Sequence, residues 1–100
     1  VRWFITRHPG AKAWALNQSL NIDRFESHLV IDDIKPCDIV IGTLPIHLAE
    51  QVCCVGARYI HLSLTLPEHL RGRELTAHQM NQCDAKLTEY SITKIAPKER

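Results

Sequence analysis

Arg7-His8-Pro9-Gly10 sets a guanidinium, an imidazole, a helix-starting proline and a glycine side by side. An arginine fork makes charge-assisted hydrogen bonds to phosphate, and an imidazole takes or gives protons near neutral pH. Gly42-Thr43-Leu44-Pro45 repeats the glycine and proline with a hydroxyl between them, and Ser63 supplies another hydroxyl at the end of an apolar run. Arg71-Gly72-Arg73 places two cations around a glycine, suited to a loop that closes over an anion. This reading nominates Arg7, His8 and Thr43 as catalytic groups. Thr6, Gly10, Gly42, His47, Ser63, Arg71 and Arg73 are nominated as ligand-binding groups. Each also has a purely structural reading. Arg7 can solvate a strand end, His8 can cap a turn, and Thr43 can start a helix. His47 can be an exposed polar residue of a first helical turn, and Ser63 can bond to backbone within its strand.

The elements that must position these groups alternate between strand and helix. Val1–Thr6 is β-branched and aromatic and predicts a strand. Pro9 suits the first turn of a helix, whose Ala13, Leu16 and Leu20 fall at helical spacing beside Trp14 and which Asn21 ends. Ile22–Val30 predicts a weaker strand, and Pro36 breaks the turn that follows. Asp38–Gly42 is a continuous apolar run of the kind found in a central parallel strand. Leu48, Val52 and Val55 share one face of the helix after Pro45, and Gly56 stops it. Ala57–Leu64 predicts another strand and Thr65–Leu75 a loop. Thr76-x-x-Gln79 is a capping box, followed at helical intervals by Met80, Cys83 and Leu87. Ser91–Ile95 predicts a short edge strand, and the last few residues are expected to fray.

Such alternation predicts an α/β class: a small Rossmann-like three-layer sandwich with a mainly parallel sheet, strand order 2-1-3-4, and one domain over residues 1–100. Parallel strands point their carboxyl ends at one edge. Residues 6–10, 42–45 and 62–64 therefore converge there, two of them with helix N-termini that favour anions. A site of phosphate size follows.

Composition narrows the partners. The 100 residues are 45% hydrophobic and 23% charged, and the net charge of +1 gives no expectation of binding to long nucleic acid. No apolar stretch is long enough for a bilayer and no signal-peptide pattern opens the chain, so no membrane association and a cytoplasmic location are expected. Cys37, Cys53, Cys54 and Cys83 form neither a Cys-x-x-Cys pair nor a disulfide framework. The spacing of His28, His61, His69 and His78 gives no metal site, and neither a metal nor a cofactor is expected. No Walker loop is present, and Gly10 alone is not a dinucleotide fingerprint. A strand ending in Arg-His resembles the opening of histidine phosphatases, but Pro9 stands where that family has glycine.

Longer strings point elsewhere. "WFITRHPGAKAWA", "DIVIGTLPIHLAEQVC" and "GARYIHLSLTLPEHLRGRELT" resemble a small CRISPR-associated family found beside type III effector systems. The resemblance runs along nearly the whole chain. It implies a compact, dimeric, Rossmann-like ring nuclease that degrades cyclic oligoadenylate, notably cyclic tetra-adenylate, and so switches off an antiviral defence signal. Such cleavage needs no metal in principle, since a ribose 2′-hydroxyl can attack its own adjacent phosphorus. A homodimer would present the same edge twice to a ring of approximate rotational symmetry. Two other readings stand beside it: a sensor or sponge that binds the ring without cutting it, and a structural subunit whose basic edge meets another protein.

Overall fold

The computed structural model describes residues 1–96; the fraying expected of the last few residues falls largely outside that range. In chain order the elements are β1 (Arg2–Ile5), α1 (Pro9–Leu16), β2 (Arg24–Glu26), β3 (Ile39–Gly42), α2 (Ile46–Cys54), β4 (Arg58–Ser63), α3 (Ala77–Gln82) and β5 (Lys86–Tyr90). They form one sheet of order β2-β1-β3-β4-β5, parallel throughout except for antiparallel β5 at the edge. This is the expected 2-1-3-4 order with one strand added, a small α/β fold compatible with a Rossmann-like sandwich.

Alternation along the strands divides the core in two. Phe4, Ile41 and Leu62 point to one face, where they meet Ala11, Trp14 and Ala15 of α1 and Met80 of α3. Trp3, Ile5, Val40 and Tyr59 point to the other, where Ala49 and Val52 of α2 and the buried Ile34 cover them. Both faces of β1 and β3 are thus covered, the condition under which a parallel strand is apolar at every position.

Four boundaries differ from expectation. The first helix stops at Leu16, capped at Asn17 rather than Asn21, and Ala13 and Leu16 lie on its exposed side. Its buried side is Ala11, Trp14 and Ala15, because the bulky indole sets the contact face. The weak second strand shortens to three residues. Leu87, placed on a helix by its spacing from Cys83, lies on β5: Asp84 turns left-handed (φ 58°) and reverses the chain. Ser91–Ile95 consequently follows the edge strand instead of forming it. The capping box is present in full, with the Gln79 amide donating to Thr76 Oγ1 (3.1 Å) and the Thr76 amide to Gln79 Oε1 (3.0 Å).

One buried carboxylate anchors the start of the central strand. Trp3 Nε1–H and the Lys35 amide both donate to Asp38 Oδ2, at 3.1 and 3.0 Å. Burial alone would push the Asp38 carboxyl up, but the hydrogen bonds outweigh it and hold the group below its ordinary value.

Candidate functional site

The order β2-β1-β3-β4 places a topological switch between β1 and β3. The chain leaves β1 for α1 on one face of the sheet and leaves β3 for α2 on the other. The two connections diverge and open a crevice beyond the carboxyl ends of the strands, the usual ligand position in open α/β sheets. A cavity of about 410 Å³ lies there, lined by residues 5–8, 27–29, 43–45 and Leu48. Its lining includes Arg7, His8 and His28 but no carboxylate, so its charge suits an anion. A second hollow of about 240 Å³ shares Thr6, Arg7 and His8 and adds Lys12, whose ammonium lies 5.1 Å from the Phe25 ring centroid. The 6–8 turn is therefore a ridge between two hollows, with Arg7 on both.

Local hydrogen bonds fix this ridge. The His8 amide donates to Thr6 Oγ1 at 3.1 Å, a short turn that a hydroxyl two residues back can make. The His8 carbonyl accepts from the amides of Ala11 (3.1 Å) and Lys12 (3.2 Å) and so opens α1. The ring nitrogen Nδ1 lies 3.1 Å from Glu74 Oε1. Among the described residues, the Arg7 guanidinium has no carboxylate partner. It is exposed and available to a ligand.

The opposite wall is held from beneath by Tyr59. Its hydroxyl accepts from the Leu44 amide (3.0 Å) and donates to the Gly42 carbonyl (3.1 Å), which uses its single proton. His61 Nδ1, 2.7 Å away, must then carry hydrogen and donate to the same oxygen. Burial pushes the Tyr59 phenol up, keeping that proton in place. The bonds to Gly42 and Leu44 pin residues 42–44, and His61 fixes the phenol that makes them.

The nominated residues separate on this geometry. Arg7, His8, Thr6 and Thr43 line the main cavity together. Thr43 donates its hydroxyl proton to the Leu62 carbonyl at 2.7 Å, so it meets a ligand as an acceptor unless that bond is exchanged. Gly10 and Gly42 are backbone devices. A Cβ on Gly10 would stand 1.6 Å from the Leu75 carbonyl oxygen, and one on Gly42 2.7 Å from that of Ile5. Ser63 is half-buried on the side of β4 shared with Tyr59 and His61, outside the cavity lining, and His47 is exposed on the first turn of α2. Arg71 and Arg73 are exposed on their loop and do not line the cavity either.

Five polar residues join the site that spacing did not nominate: Ser27 and His28 in the cavity, Lys12 and Glu26 in the adjoining hollow, and Glu74 on His8. Ser27 and His28 follow a strand too short to show a period. Lys12 was legible as the residue one helical turn beyond His8. Glu74 lies 66 residues from its partner, and no local pattern signals the pairing.

The model of one protein family, described as "Putative CRISPR-associated protein (Cas_VVA1548)", matches residues 3–93. The chain belongs to this CRISPR-associated family. The match runs from β1 past the end of β5, so every segment of the crevice is part of the family's common domain. No curated protein and no solved structure matches the chain. Among the described residues, no helix is long and apolar enough to cross a membrane.

Proposed function

We propose that this CRISPR-associated protein is a ring nuclease that opens cyclic oligoadenylate, with cyclic tetra-adenylate as the first substrate to try. The observation that carries this reading is the shared lining of the switch-point cavity. An arginine with no carboxylate partner among the described residues and a histidine stand side by side on a turn fixed at both ends, in a hollow that no described carboxylate lines.

The chemistry asks little of a protein beyond placement. A ribose 2′-oxygen attacks the neighbouring phosphorus, the bond from phosphorus to the 5′-oxygen breaks, and a 2′,3′-cyclic phosphate and a 5′-hydroxyl result. No external reactant is consumed and no metal is required. Arg7 is the group to neutralise charge on the phosphoryl oxygens, and His8 the group to take the 2′-hydroxyl proton. A cavity of about 410 Å³ is in the smaller part of the range of small-molecule sites. It accommodates one nucleotide step of a ring rather than the whole, and a second copy of the chain would take the opposite step by two-fold symmetry.

The deciding assay incubates the purified protein with cyclic tetra-adenylate in EDTA and separates the products chromatographically. Linear fragments ending in cyclic phosphate are expected. Ring recovered intact at stoichiometric protein would overturn the nuclease reading. If that ring were also tightly bound, the protein would be a sensor or sponge, a reading favoured by the prior engagement of the Thr43 hydroxyl with Leu62.

A further inference from the structure

The contact between His8 and Glu74 joins the first strand–helix junction to a loop on the far side of the chain. Glu74 ends the segment that carries Arg71 and Arg73, and its Oε1 lies 3.1 Å from His8 Nδ1. An ionised carboxylate can only accept, so the shared hydrogen belongs to Nδ1. The other ring nitrogen, Nε2, is then left with its lone pair. In a neutral imidazole, the partner of one nitrogen decides what the other can do.

The backbone supports this pairing independently. Gly10, the second residue of α1, has no side chain, and the Leu75 carbonyl oxygen occupies the space where a Cβ would be, 1.6 Å from its ideal position. Residue 75 is therefore packed directly on the opening of the helix that His8 caps. Leu75 itself is half-buried against the core cluster under α1 and α3. Glu74 is brought to His8 by this packing, not by the attraction of two exposed side chains, which on its own stabilises little. The Thr6 hydroxyl fixes the His8 backbone from the other side.

We infer that Glu74 is a positioning residue that holds His8 as the Nδ1–H tautomer, with Nε2 as a proton acceptor for the 2′-hydroxyl of the substrate. The role rests on the ring-nuclease reading above. The 2′-hydroxyl proton passes to Nε2 as the new oxygen–phosphorus bond forms, and the ring becomes a cation paired with the Glu74 carboxylate. The bond to the 5′-oxygen breaks on the opposite side of phosphorus, and that oxygen takes its proton from water. His8 then returns its own to solvent. Glu74 touches neither substrate nor phosphorus and acts only through the ring.

Two measurements test this, and one needs no substrate. Long-range ¹H–¹⁵N correlation on protein labelled at histidine, recorded at alkaline pH, reads the tautomer directly. The wild-type chain should show His8 protonated at Nδ1, Glu74→Gln should keep that form through its amide oxygen, and Glu74→Ala should release it. A wild-type His8 protonated at Nε2, or a ring unchanged in Glu74→Ala, overturns the inference. Both variants should fold, since the Glu74 side chain is 66% exposed. In kinetics on cyclic tetra-adenylate, Glu74→Ala should lower kcat about tenfold, below the roughly 10²–10⁴-fold that a general base contributes. KM should change less than about twofold, and Glu74→Gln should recover most of the rate. A rise in KM with kcat unchanged would make Glu74 a ligand contact instead and overturn the role. Absence of any turnover would sink the nuclease reading, whereas the tautomer result judges Glu74 by itself.

Discussion

The Leu44 amide donates to the Tyr59 hydroxyl at 3.0 Å, so a phenol on β4 holds the loop that leaves β3. Tyr59→Phe removes that oxygen without opening a cavity. It leaves the Leu44 amide, the Gly42 carbonyl and His61 Nδ1 without their shared partner. Leaving buried polar groups unpaired costs about 1–3 kcal/mol. Denaturant unfolding should show a loss in that range, and ligand affinity should fall because residues 43–45 lose their support.

Arg7 and His8 should separate in kinetics. Arg7 meets phosphate in the bound and in the transition state, so Arg7→Ala should weaken binding and lower kcat/KM together, by about 10–100-fold for a lost charge-assisted bond. His8→Ala should lower kcat about a hundredfold with a small effect on affinity. Calorimetric titration with the ring beside steady-state rates distinguishes the two. Equal losses of affinity and turnover in His8→Ala would reduce His8 to a binding group.

Gly10→Ala sets two effects against each other. Alanine is favoured over glycine by about 1 kcal/mol in a helix interior and by less in the first turn, where Gly10 lies, and its Cβ would need the Leu75 carbonyl oxygen to move from 1.6 Å away. Backbone displacement of this kind costs about 1–3 kcal/mol or more, so the clash should win. A lower Tm is expected, together with loss of the Nδ1–H form of His8, because residues 74–76 must retreat from α1.

Asp38 gives stability a defined acid limb. Its carboxyl is held below the ordinary value of 3.8, so the folded state favours the ionised form. The stability from this group is fully present above that value and is lost as pH falls through the lower folded value. The gap in Tm between wild type and Asp38→Asn should be widest near neutrality and should narrow as pH drops to about 3. At neutral pH the substitution should cost about 1–3 kcal/mol, since a neutral amide oxygen replaces the charged acceptor of Trp3 Nε1–H and the Lys35 amide.

Much of the architecture was legible because its signals are local. The run Ile39–Ile41, the capping box at Thr76 and the breaker Gly56 (φ 90°) each act within a few residues, and each sits where expected. Leu87 was misplaced because helical spacing from Cys83 is also compatible with a reversal, and Asp84 supplies that reversal in a conformation few side chains adopt. The gathering of Arg7, His8 and Thr43 follows from strand direction alone, which alternation of strand and helix already fixes. Ser63 was expected beside them because β4 also ends at that edge, but the crevice lies between β1 and β3 and β4 stands one strand farther out. His28 and Glu74 reach the site through chain packing that no local spacing encodes.

The close approach of Gly42 to Ile5 limits how this scaffold can diversify. Any side chain at position 42 would meet the Ile5 carbonyl oxygen at 2.7 Å and pry apart β1 and β3 just where the hollow opens. The floor of the crevice is therefore closed to retuning. New ligand preferences must be written on its walls, at residues 27–29 and Leu48, where substitutions leave the sheet undisturbed.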